Sequence, residues 1–181
     1  MGQLLCCYGG DQGAEDGLHP AVLVQFEELP TECSADDIRM AKMYLYFSYA
    51  HKASWHSVEE SPNISRPLAV QRVLKKWEET EATSTQRMSG KSWRQEYLGL
   101  DNIDAEATPQ GIPTYYHSHR PSGYMEFDVT PAVKNWAEGE RNYGLLVWAM
   151  NEYEVGRDIR FYSREYSDTD KHPVLKVLCD Y

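Results

Sequence analysis

Cysteine is scarce in this 181-residue chain: Cys6, Cys7, Cys33 and Cys179 are its full complement. Residues so few and so unevenly spaced make no disulfide framework, and without a Cys-x-x-Cys pair they announce no zinc site. One long-range bridge is open to them, but free buried thiols are the expectation. Long apolar runs are missing too. The longest, residues 144–150, is a strand's worth, well short of the roughly 18 to 20 residues that a bilayer core demands. No transmembrane segment is expected. A secretory leader is also lacking: residues 4–8 are too short for an apolar h-region, no basic residue precedes them, and Asp11, Glu15 and Asp16 follow. The chain is therefore expected to be intracellular or to lack its true start. Positive charge is in deficit as well. Lys and Arg number 18 against 28 Asp and Glu, a net charge of −10, which sets nucleic acid aside as a partner.

What is there reads as a packed chain. Hydrophobic residues make up 41% and aromatics 12%, enough to exclude disorder and low-complexity arrays, and the length suits one domain over residues 1–181. Apolar stretches of strand length recur at 21–26, 41–49, 124–129, 143–150, 158–163 and 174–179, each bounded by turn residues. In 42–49 aromatic side chains crowd both faces, while Ile159, Phe161 and Ser163 alternate with Arg160 and Tyr162, the period of a half-buried strand. No strand–helix alternation occurs, so an all-β antiparallel β-sandwich of jelly-roll type is expected. One short helix near 131–138 interrupts it: Thr130 is placed to cap, Pro131 sits at the first helical position, Val133 and Trp136 share a face, and Gly139 offers a left-handed exit. Two turns are unstable alone, so Trp136 should be docked on the sheets as a plug. Periodicity over 68–77 prefers a helix. Residues 78–122 are polar and aperiodic, which marks them as the expected binding surface.

Three blocks carry a resemblance. Residues 23–30 (LVQFEELP) followed by 41–46 (AKMYLY), then 70–77 (VQRVLKKW) with Glu81, Ala82 and Thr83, then 127–136 (FDVTPAVKNW) with 142–146 (NYGLL) and 161–165 (FYSRE), together resemble the DNRLRE domains. The third block is also similar to the helix entry of TGF-β propeptides. The resemblance spans about residues 4–181. It implies a non-catalytic, extracellular jelly-roll sandwich, in some members a carbohydrate-binding module on matrix or wall-associated proteins. It also implies a strand over 68–74 in place of the helix, and a strand over 4–8. The chain departs from the pattern in lacking the usual first strand and in having Ser84 where Trp is expected after Thr83.

The function expected is thus recognition, without catalysis or cofactor, of a polysaccharide, a glycoprotein or a matrix protein. Sugar faces stack on rings and their hydroxyls bind planar polar groups, which makes Trp55, beside His56, and Trp93, Tyr97, Tyr115 and Tyr116 the carbohydrate-binding candidates. A structural or protein-interaction domain without a glycan site is the second reading. A polysaccharide lyase centred on Tyr116, His117 and Arg120 is the third, with His117 and His119 on one side of an extended strand; solvated loop histidines are preferred to it. Glu78, Glu79 and Glu81, or Asp168 with Asp170, are read as solvated faces in preference to calcium ligands. Asn63 opens a glycosylation sequon, for use if the chain is secreted. Gly2, Cys6 and Cys7 resemble sites of N-terminal acylation, the alternative of a chain anchored on the cytoplasmic face of a membrane.

Overall fold

A computed structural model describes residues 2–7, 21–29, 33–49, 65–96, 98–110, 114–117, 122–149 and 159–180. The strands are β1 (Gly2–Cys7), β2 (Ala21–Phe26), β3 (Ile38–Tyr49), β4 (Ser65–Arg72), β5 (Gln86–Met88), β6 (Lys91–Ser92), β7 (Thr114–His117) and β8 (Ser122–Asp128), then, after helix α1 (Thr130–Ala137), β9 (Leu145–Ala149), β10 (Ile159–Phe161) and β11 (Val174–Cys179). A five-stranded antiparallel sheet runs β1-β2-β9-β4-β7, a four-stranded antiparallel sheet is built around β3, and β5 pairs with β6.

Alternation in the strands decides what lies between the two large sheets. Ala41, Met43, Leu45 and Phe47 of β3 and Met125 and Phe127 of β8 turn inward, to meet Val22, Val24 and Phe26 of β2, Leu68 and Val70 of β4, and Leu145 and Val147 of β9. Full burial of each of these side chains larger than alanine contributes about 1.5–3 kcal/mol, and this shared layer holds the sheets face to face. The fold is all-β and sandwich-like with one short helix, as the sequence pattern predicts. Helix α1 closes one end of the core with Ala132, Val133 and Trp136 buried, so the indole is the expected plug. Its cap differs from expectation. Thr130 is already helical, and its hydroxyl instead takes the Ala41 N–H at 2.9 Å, while Asp128 accepts the Thr130 N–H at 3.0 Å. Gly139 leaves the helix at φ +102°, a conformation that side chains with a Cβ resist.

Residues 68–72 continue a strand, not the helix that periodicity prefers. β4 lies between β9 and β7 and is buried on both faces: Leu68 and Val70 face the sandwich interior, while Ala69 and Gln71 are also buried. A central strand with no solvent face shows no clean alternation, and that is why its period misleads.

The outer face of the five-stranded sheet is apolar too, and it is covered. Ala21, Leu23 and Leu146 form a second core with Val73, Trp77, Trp93, Leu98 and Ala105. Residues 78–122 are expected as the binding surface, but the described residues of 73–110 are largely a folded cover. Its indoles are anchored, Trp77 donating to the Tyr143 carbonyl at 2.7 Å and Trp93 to the Thr83 carbonyl at 3.0 Å. Arg72, buried at the seam, donates to Glu106 at 3.0 Å through Nε and pairs with Glu140, while Gln110 donates to the other Glu106 oxygen. Cys33 and Cys179 form a disulfide with Cα atoms 6.2 Å apart, correcting the expectation of free thiols for this pair. The bridge joins the end of β11 to the segment before β3, positions that only the folded sheet brings together.

Candidate functional site

The outer face of the sheet around β3 carries the exposed aromatic surface. β8 pairs with residues 42–48 of β3, β11 with 38–44 and β10 with 47–49. The overlaps put β8 on one edge of β3 and put β10 and β11 in tandem on the other. β10 and β11 are therefore one edge strand interrupted by a strap, residues 162–173, that leaves opposite Tyr46 and returns opposite Tyr44. The Tyr162 N–H still bonds the Tyr46 carbonyl at 2.9 Å.

The side chains of β3 and β8 that alternate with the core residues meet this strap. Tyr124 of β8 stands opposite Tyr46 and next to Tyr44, edge-on to both rings at 83° and 87°, with centroids 5.1 Å and 6.4 Å away. Its hydroxyl donates to the strap carbonyl of Asp170 and approaches that of His172 at 3.3 Å. Four contacts therefore fix a ring that is still 41% exposed. Burial of its hydroxyl end, aided by Asp170, raises the Tyr124 pKa. Tyr162 and Tyr166 of the strap pack at 4.0 Å, and Tyr162 lies 5.6 Å from Tyr46.

Ammonium groups and carboxylates frame the rings. Lys171 Nζ lies 5.5 Å, 5.6 Å and 5.5 Å from the centroids of Tyr46, Tyr162 and Tyr166 and pairs with Asp168 at 2.9 Å. That hydrogen bond raises the lysine and lowers the aspartate from their ordinary values. Lys176 of β11 lies 5.1 Å over Tyr44. Lys42 pairs with Glu126 across the β3–β8 ladder, which raises the lysine and lowers the glutamate. The Tyr44 hydroxyl is pushed up by burial first and by its hydrogen bond to Glu126 second. The face thus offers a fixed apolar ring flanked by paired donors and acceptors, an arrangement suited to holding a ligand.

The residues expected from sequence that the structure describes lie elsewhere. Trp93 is 4% exposed and its ring packs in the second core, so its expected role as an open stacking platform is corrected to that of a packing residue. Tyr115, Tyr116 and His117 belong to β7, paired with Pro67, Arg66 and Ser65 of β4. Trp55, His56, Asn63, Tyr97, His119 and Arg120 fall outside the described residues. Gly2, Cys6 and Cys7 sit in β1, in register with Phe26, Val22 and Ala21. Glu78 pairs with Lys76 at 2.8 Å, Glu79 with Arg164 at 2.9 Å, and Glu81 accepts the Ser89 N–H at 2.7 Å. Among the described residues no group of three His, Cys, Asp or Glu side chains is gathered to hold a metal ion, and no helix is long and apolar enough to cross a membrane.

Sequence reasoning missed Tyr44, Tyr46, Tyr124, Tyr162 and Tyr166 as one surface. The signal was present in part, because 42, 44 and 46 alternate with the apolar 41, 43, 45 and 47. What it lacked was the register that sets Tyr124 beside Tyr46 and the return of the strap across both.

Among curated proteins none matches the chain. A family model does match, over residues 18–177, and its description, disaggregatase related repeat domain, replaces the DNRLRE resemblance and the TGF-β propeptide likeness that accompanied it: the chain belongs to the disaggregatase related repeat domain family.

Proposed function

We propose that this domain is a non-catalytic recognition module that binds carbohydrate on the tyrosine face of the β3 sheet. The observation that carries the reading is Tyr124, an exposed ring held rigid by two edge-on neighbours and by its hydroxyl. Exposed rings that move freely must be ordered on binding, and a pre-ordered ring avoids that entropic loss. Sugars present an apolar ring face with hydroxyls at its rim, which matches one fixed aromatic ring flanked by the Lys42–Glu126 and Lys171–Asp168 pairs. The family's description as a repeat domain suits a module that works as one unit among others. An extracellular setting is favoured by the Cys33–Cys179 disulfide, since such bridges persist mainly in oxidising compartments.

Affinity electrophoresis through gels containing single polysaccharides tests the proposal. The wild-type protein is expected to be retarded by at least one polymer, and Tyr124→Ala to lose about tenfold or more in affinity. Trp93→Phe, altered in the second core, is expected to be retarded like wild type. Equal retardation of wild type and Tyr124→Ala refutes the placement of the site. No retardation in any gel refutes the carbohydrate reading and favours a domain that binds a protein partner.

A further inference from the structure

The charge arrangement on the tyrosine face bears on which polysaccharide it takes. Among the described side chains three lysines, Lys42, Lys171 and Lys176, share the face with four carboxylates, Glu126, Asp128, Asp168 and Asp170, and Arg160 stands in register with Ser48 on the same side of the sheet, which balances the two signs. Lys42 and Lys171 are each committed to a carboxylate, and the chain around them has a net charge of −10. A uronate or sulfated polymer approaching this face meets no net positive field, and the long-range field of the protein opposes it.

A cationic polymer is disfavoured for a different reason. Tyrosine faces attract ammonium groups, but Tyr44 already lies under Lys176, and Tyr46, Tyr162 and Tyr166 surround Lys171. The protein's own lysines take those positions, and Lys42 and Lys171 already hold Glu126 and Asp168, two of the carboxylates that an incoming ammonium would need. Tyr124 is the ring of this cluster with no ammonium over it among the described residues, and it is the most exposed large apolar group on the face of β8.

Resting on the carbohydrate reading of this face, we infer that its ligand is an uncharged polysaccharide, one sugar ring stacked on Tyr124 and neighbouring hydroxyls held by the Lys42–Glu126 and Lys171–Asp168 pairs. A pre-formed ion pair is well suited to hydroxyls, because its carboxylate accepts and its ammonium donates without either charge needing a counter-charge from the ligand. From Lys42 to Tyr46 the strand advances about 14 Å, room for a few sugar rings along β3. The directions of the pKa shifts agree: Glu126 and Asp168 stay ionised below, and Lys42 and Lys171 stay protonated above, their ordinary ranges.

Affinity gels loaded with uncharged polymers (β-glucan, xylan, galactomannan), acidic polymers (alginate, polygalacturonate, chondroitin sulfate) and cationic chitosan test the inference. Retardation is expected with at least one uncharged polymer, and the same affinity within about twofold between ~50 mM and ~500 mM NaCl, since an uncharged ligand offers nothing for salt to screen. Tyr124→Ala is expected to lose about tenfold or more, Tyr124→Phe to keep most of the binding, and Asp128→Asn, which removes a negative charge from the face while its amide oxygen can still accept the Thr130 N–H, to change affinity by less than about threefold. Melting temperatures confirm that each variant is folded. Binding confined to acidic polymers or to chitosan, falling as salt rises, overturns this inference while leaving the carbohydrate reading standing. Failure of every polymer to retard the wild type overturns the carbohydrate reading and this inference with it.

Discussion

Arg72→Ala is expected to cost more stability than any exposed charge substitution in the chain. The Arg72 side chain is 8% exposed, and its guanidinium meets Glu106, itself 19% exposed, at 2.7 Å and 3.0 Å as well as the more open Glu140. Truncation leaves Glu106 half-enclosed with only the Gln110 amide on its other oxygen, and removing one partner of a buried pair typically costs about 3–5 kcal/mol. The Glu106 N–H also bonds the Arg72 carbonyl at 3.0 Å, so the side-chain pair and the backbone act on the same seam between β4 and its cover. For a chain of this size each kcal/mol lowers the melting temperature by about 2–4 °C, which predicts a fall of about 6–20 °C. Urea unfolding of Arg72→Ala, Glu106→Ala and the double variant gives the coupling between them. The double variant should cost clearly less than the sum of the singles, because no buried charge is stranded. A loss below about 1 kcal/mol for Arg72→Ala, the value of a surface pair, refutes the claim that this ion cluster locks residues 73–110 onto the sheet.

Three further outcomes follow from the same geometry. Reducing the Cys33–Cys179 bridge, which spans 146 residues, should lower stability by about 2–5 kcal/mol, seen as a lower melting temperature in dithiothreitol that Cys33→Ser no longer shows. Gly144→Ala should destabilise by about 1–3 kcal/mol or more in urea, since Gly144 has φ +82° and an added Cβ would collide with the Val24 carbonyl oxygen. The strap should hold its place across neutral pH. Asp168 is lowered in the folded protein, so its contribution is complete above the ordinary carboxylate value and is lost as pH falls through the lowered one; Lys171 is raised, so its contribution is complete below the ordinary lysine value and is lost only as pH rises through the raised one. In a His172→Gln variant, which removes the imidazole that bonds the Tyr166 carbonyl at 2.7 Å, ring resonances of Tyr162 and Tyr166 should stay constant from about pH 5 to about pH 9 and move only outside that window, and a midpoint near pH 7 contradicts the assignment.

The strands and the helix were legible wherever a single face was buried. Met125 and Phe127 alternate with Tyr124 and Glu126, and β8 is found where that alternation runs; Pro131 and Gly139 bound α1 in the sequence as in the structure, within a residue. Legibility failed where both faces are covered, as in β4, and where packing depends on chain segments distant in sequence. Trp93 sits in a polar, aperiodic stretch that reads as a surface loop, yet its indole has Leu23 and Leu146 in its core cluster, contributed by strands remote in sequence. The disulfide was hidden for the same reason. The tyrosine face was half visible, its β3 members spaced two apart, while its exposed member and its strap are brought to it only by strand pairing. The DNRLRE resemblance rested on local blocks such as FDVT before α1, which describe how a strand enters a helix and not how the sheets are paired.

Nuclear magnetic resonance of the tyrosine and tryptophan rings, titrated with oligosaccharides of whichever polymer retards the protein, tests the recognition surface most directly. Shifts are expected at Tyr44, Tyr46 and Tyr124 that saturate with one affinity, while Trp77 and Trp93 in the second core stay unmoved. Shifts confined to the rings of residues 73–110, with Tyr124 unchanged at saturation, contradict the placement of that surface.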